Sequence, residues 1–209
     1  MPILRSVIAG TENQIRQEVI LTHGFNVRDE GVKTTDQLRP YFEQAGYYVY
    51  EADYNWTGLL GVRLCNAKLA RMMAGMVAEN TIFVGHSNGC AIGWMASLCG
   101  APFEQMILIN PALDNDVKFG PQVKRIHVWH TRFDKPTMIS KFLLVHPWGD
   151  LGRVGYKGND PRVFNYNMAD DFPMAVRGHS EVFKSPLKEL FGPMIVEKAY
   201  FTTFPEQKT

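Results

Sequence analysis

Apolar residues in this chain fall into two patterns, short continuous runs and runs at helical spacing, and the two alternate from residue 18 onward. Glu18-Val19-Ile20-Leu21-Thr22-His23-Gly24 reads as a buried strand ending in glycine. Leu38, Tyr41, Phe42 and Ala45 then share one helical face, with Pro40 near the start and Gly46 as the stop signal. Tyr47 to Tyr54 predicts a second strand. A long helix follows from about Leu59 to Ala78, whose stripe of Leu69, Met72, Met73, Met76 and Val77 is assigned to core packing. Thr81-Ile82-Phe83-Val84 predicts the third strand, and Asn88 to Leu98, apolar at Ala91, Ile92, Trp94, Met95 and Leu98, the helix after it. Phe103 to Asn110 and Arg125 to His130 are β-rich and predict a fourth and a fifth strand, while Pro111 to Lys124 between them has no helical period. The outer parts are sparser. They hold at most one short strand around Ile3 to Ala9, a short helix through Met138 to Val145, a strand at Arg162 to Met168 and a C-terminal helix opened by Ser185-Pro186.

Strands alternating with helices predict an α/β fold, a mostly parallel central sheet covered by helices on both faces. Such a sheet takes its ligands at the carboxyl ends of its strands. At 209 residues the chain is expected to form one domain, residues 1–209. A net charge of +1 gives no reason to expect nucleic acid or an anionic membrane as partner. The opening Met1-Pro2-Ile3-Leu4-Arg5-Ser6 is too short in apolar residues for a signal peptide, and no run reaches the length of a membrane span, so a cytoplasmic protein is expected. Three cysteines, Cys65, Cys90 and Cys99, without Cys-x-x-Cys spacing suit reduced thiols, and no zinc pattern exists. Neither a metal nor a cofactor is expected.

The chemistry centres on Gly85-His86-Ser87-Asn88-Gly89, a Gly-x-Ser-x-Gly string between a predicted strand and a predicted helix. A serine on so sharp a turn presents its Oγ, and the turn leaves room only for glycine beside it. The following amide, of Asn88, falls at a helix N-terminus, where it can donate to a developing negative charge. Three more segments sit near predicted strand ends. His23-Gly24-Phe25 would turn the Phe25 amide toward the serine as a second oxyanion donor. Asp134 lies a few residues past the fifth strand, and Arg177-Gly178-His179-Ser180 precedes the last helix.

Taken together, these pieces resemble the α/β-hydrolase superfamily from about residue 18 to the C-terminus, including the chain order Ser87, Asp134, His179. The resemblance implies serine-dependent hydrolysis, usually of esters, in which His179 takes the proton of Ser87 and Asp134 orients the imidazole. Two departures predict a minimal version. The N-terminal antiparallel strands are reduced to one or none, and the usual site of a lid, between the fourth and fifth strands, is a brief link.

Other residues bear on the same site. Asp114 and Asp116 are rivals to Asp134, because some lipases of the superfamily carry the acid after the preceding strand. His23 and His86 read as packed neighbours of the site, His127 as a strand residue, His130 as a rim residue and His146, before Pro147, as part of a turn. Gly149, Gly152, Gly155 and Gly158 mark irregular backbone, with Trp148, Arg153 and Tyr156 as substrate contacts or ordinary loop packing; Trp56 is another pocket candidate. The expected function is a carboxylic-ester hydrolase with a small-molecule ester substrate. Thioesterase, amidase or acyltransferase activity, or a binding scaffold without turnover, are the alternatives, and oligomeric state stays open, a homo-oligomer included.

Overall fold

The computed structural model describes residues 17–24, 31–52, 62–134, 149–172 and 178–203, with the backbone alone described at 62–65 and 201–203. Six strands form one sheet: β1 (Glu18–Thr22), β2 (Tyr48–Glu51), β3 (Ile82–His86), β4 (Gln105–Ile109), β5 (Arg125–His130) and β6 (Val163–Asn167). Their order is β2-β1-β3-β4-β5-β6, and every neighbouring pair is parallel. The helices are α1 (Arg39–Gln44), α2 (Val62–Ala74), α3 (Asn88–Leu98), α4 (Leu151–Val154), α5 (Met168–Asp171) and α6 (Leu187–Thr203).

Parallel strands buried on both faces alternate their side chains between two cores. Val19, Leu21, Ile82, Val84, Ile107, Ile109 and Trp129 face one cluster, which Leu38, Phe42, Phe183, Phe191 and Ile195 complete from α1, α6 and neighbouring 3-10 turns. Phe83, Met106, Leu108, Ile126 and Val128 face the other, filled by Ala70, Met73, Cys90, Ile92 and Ala96 from α2 and α3. The helix α3 is buried at Asn88, Gly89, Cys90, Ile92, Gly93, Ala96 and Ser97, and a Cβ at Gly93 would lie only 2.3 Å from two ring carbons of Phe83. Glycine there lets the helix sit flat on the sheet.

Most predicted elements appear in place. The fifth strand is reproduced to the residue, Pro111 to Lys124 contains no helix or strand, and Gly46 adopts φ 89° just beyond α1. On α2 the outcome differs from the expected stripe. Met73 is buried and Leu69 and Val77 pack against the core, but Met72 and Met76 are 40% and 64% exposed. Ala70 takes the buried position instead, because the close contact of α2 with α3 admits a small side chain there. The last helix begins at Leu187, one residue after Pro186, and Ser185 Oγ donates to Glu189 Oε1 at 2.7 Å. The predicted strand at Ile3 to Ala9 and helix at Met138 to Val145 lie outside the described residues.

Candidate active site

Strand order fixes where a site can form. The chain leaves β1 toward β2, returns across it through α2, and continues outward from β3, so the connections diverge between β1 and β3. A crevice opens at the carboxyl end of such a pair. Ser87 stands there, directly after β3, and a Cβ on Gly24 beyond β1 would lie 3.1 Å from its Cβ.

The turn at Ser87 is strained. Its backbone is at φ 53° and ψ −120°, a region that non-glycine residues occupy only when the surroundings hold them there. Three hydrogen bonds do so: Ser87 N–H to the Ile109 carbonyl at 3.0 Å, Cys90 N–H to the Ser87 carbonyl at 3.1 Å, and Ala112 N–H to the same carbonyl at 3.2 Å. A Cβ at Gly89 would overlap the carbonyl oxygens of Thr22 and His23, so the start of α3 rests on the end of β1 only with glycine at that position. Asn88 is buried, and its side chain exchanges two hydrogen bonds with Asn66 of α2, at 2.9 and 3.2 Å. This amide pair ties the first turn of α3 to the neighbouring helix.

Asp134 and His179, 45 residues apart in sequence, meet at 2.9 Å between Oδ1 and Nδ1. The Asp134 side chain has no exposure and that of His179 is 15% exposed. A carboxylate this deeply buried requires a hydrogen-bonding partner, and the imidazole N–H supplies one. Gly152 closes over the carboxylate, since a Cβ there would lie 2.7 Å from Asp134 Oδ2 and equally close to the Asn110 backbone. Asp114 and Asp116, the rival acids, are exposed.

His179 is also anchored by its own carbonyl, which accepts from Asn110 Nδ2 at 2.6 Å and from His86 Nε2 at 3.1 Å. The His86 ring lies 4.7 Å from that of His179 and edge-on to Phe183 at 5.0 Å. Burial, and secondly the neighbouring His179 ring, hold His86 well below the usual histidine range, so it is a neutral donor. Asp134 and His179 therefore meet at the carboxyl rim of β3, β4 and β5, and Ser87 directly follows β3 at the same rim. No hydrogen bond joins Ser87 to His179 among the described residues.

The remaining predicted residues separate. Phe25, Trp56 and Trp148 lie outside the described residues. Tyr156 is buried with its ring on Phe119, 6.1 Å between centroids, and its amide and carbonyl are both held by the Asn165 side chain. It stands in the core cluster of the α2 and α3 face. Arg153 is near Asp150, at 3.8 Å. His127 is sandwiched between Phe164 and Tyr166, and His130 lies against Gly155. Sequence reasoning missed Asn66 and Asn110. An asparagine directly after a buried apolar strand and before a proline is the one signal that could have flagged Asn110. Among the described residues no group of three or more His, Cys, Asp or Glu could hold a metal ion, and no helix is long and apolar enough to cross a membrane.

No family model matches the chain, and no curated protein sequence does. Solved structures do match. Alpha/beta hydrolase domain-containing protein 10 from mouse superposes with a TM-score of 0.58 at 13% identity, covering 87% of this chain and 88% of that one. Esterase 2 of Thermogutta terrifontis, phosphonylated by cyclosarin, gives 0.51 at 13% identity over 88% and 81%. A protein of the alpha/beta hydrolase superfamily from Xanthomonas campestris pv. campestris gives 0.51 at 16% identity over 87% and 98%. With its parallel sheet, its strand order and these neighbours, the chain has the α/β-hydrolase fold in a shortened form, six parallel strands among the described residues and no helix inserted between β4 and β5.

Proposed function

We propose that this protein is a serine hydrolase of carboxylic esters, with Ser87 as nucleophile, His179 as general base and acid, and Asp134 as the group that orients the imidazole. The observation that carries the reading is the strained Ser87 turn, held at φ 53° directly after His86, whose Nε2 donates to the carbonyl of His179, the histidine bonded to a buried carboxylate. Strain of that kind persists where it serves a site. Fold neighbours that include an esterase support the same class.

In the proposed cycle His179 Nε2 accepts the Ser87 proton as Oγ attacks the ester carbonyl carbon. The carbonyl oxygen takes the negative charge and is held by the amides of Asn88 and Phe25. Collapse breaks the bond to the alkoxide, which leaves as alcohol with the proton from His179. Water, deprotonated by the same imidazole, then attacks the acyl-enzyme and frees the acid. Asp134 keeps Nδ1 protonated throughout, which directs Nε2 to the reacting atoms.

Hydrolysis of p-nitrophenyl esters of graded acyl length tests this reading and measures pocket depth together. Turnover that saturates with ester, with a burst of p-nitrophenol equal to the enzyme present, is the expected result. Turnover of thioesters or amides with no activity on any ester would reassign the substrate class, and failure on all of them would leave a scaffold with the fold alone.

A further inference from the structure

We propose that Asn110 is a positioning residue for His179, acting with His86 as a two-point clamp on its carbonyl; the inference rests on the serine-hydrolase reading above. Asn110 follows β4 directly, has no exposure, and is besides Ser87 the one non-glycine residue at positive φ among those described, at 44°. Its own N–H donates to the Trp129 carbonyl on β5 at 2.8 Å, which fixes the direction of the side chain. From there Nδ2 reaches across 69 residues of sequence to the His179 carbonyl at 2.6 Å, and His86 Nε2 takes the second lone pair at 3.1 Å.

The geometry divides the work of holding one residue. The ring of His179 is set by Asp134 beyond β5, while its main chain is set by the ends of β3 and β4. The serine follows β3 as well, so the clamp places base and nucleophile in one rigid frame. Asparagine suits the position on two counts: it tolerates the left-handed backbone, and it carries an N–H donor on a short stem. Aspartate would offer only acceptors to the carbonyl. Leucine would offer neither.

The test compares wild type with Asn110→Gly, which keeps the backbone conformation and removes the donor, and with His86→Gln, which retains an N–H at similar reach. Three readouts are taken on folded protein: kcat and KM on a short-chain p-nitrophenyl ester, the rate of fluorophosphonate labelling at Ser87, and the ¹H resonance of the His179 Nδ1–H. For Asn110→Gly the expected result is a fall in kcat of about 10- to 100-fold with KM nearly unchanged, labelling slowed in step, and a broadened or lost Nδ1–H resonance. His86→Gln is expected to stay within about 5-fold of wild type, because the donor is kept. Wild-type kcat and an unaltered resonance in folded Asn110→Gly would overturn the proposal, as would a lower melting temperature with no kinetic change. If wild type neither turns over esters nor labels, the hydrolase reading fails, and the resonance still decides whether Asn110 positions His179.

Discussion

Two regions of one sheet hold histidines among aromatic rings, and only one of them pairs a histidine with a buried carboxylate. At the carboxyl rim of β3, β4 and β5, His179 is bonded to the buried Asp134, Ser87 and Asn110 are held at positive φ, and His86 donates to the His179 carbonyl. On the β5–β6 flank, His127 is stacked between Phe164 and Tyr166 at 5.7 Å each, hydrogen-bonded to the Tyr166 hydroxyl at 3.1 Å, and Trp129 continues the column to Phe191. Arg125 and Lys198 lie over the outer rings. Burial, then those two cations, lower the His127 pKa to about 4. The contrast separates roles that a residue count merges: a carboxylate partner and backbone strain mark the rim, while relaxed stacking and a cationic surround keep the flank neutral and structural.

The largest expected effect belongs to the rim. Ser87→Ala or His179→Ala should lower kcat by about 10⁴-fold or more, with melting temperature nearly unchanged, as read by ester hydrolysis and thermal denaturation. Asp134→Asn should cost about 10³- to 10⁴-fold in kcat, because it removes the charge that holds the imidazole tautomer. Asp114→Asn, exposed in the neighbouring turn, should leave kcat within about 2-fold. A large loss in the second variant and none in the first would transfer the acid to β4.

A third change addresses the scaffold under the rim. Gly89→Ala forces a Cβ into the carbonyls of Thr22 and His23 and should destabilise the fold by about 2 kcal/mol or more, measured by urea denaturation. The smallest effect is on the flank. His127→Gln should leave kcat within about 2-fold at neutral pH and change only the acid limb of stability. His127 has a folded pKa of about 4 against an ordinary 6.5, so the unfolded chain binds its proton more readily between those values. Its contribution is complete above pH 6.5 and is lost as pH falls toward 4, to a total of about 3 kcal/mol at most. The variant should therefore show a shallower fall in melting temperature from pH 7 to 4. An unchanged slope would mean that His127 is protonated in the fold.

Much of this architecture was legible beforehand, and the reason is physical. Strands buried on both faces are written as continuous apolar runs, which is why β3, β4 and β5 stand out, and the turn at Ser87 is a local string whose glycines are dictated by contact, as Gly89 shows. The pairing of Asp134 with His179 was reached through the resemblance and not through any local signal, since nothing near either residue names the other. Asn110 and Asn66 were illegible for the same reason: each acts through a hydrogen bond to a distant segment, and asparagine is a common turn residue. The misjudged Met72 and Met76 teach the converse. A helical stripe says which side is apolar, but the small Ala70 at the α2–α3 contact decides how much of that side is covered.

Covalent capture of the serine tests the central claim most directly. Folded wild type, treated with a fluorophosphonate and mapped by mass spectrometry, should carry one adduct, on Ser87. Labelling should fall by about 10³-fold or more in His179→Ala and vanish after unfolding in urea. No adduct on the folded protein, or an adduct on a different residue that Ser87→Ala leaves unchanged, would contradict the account.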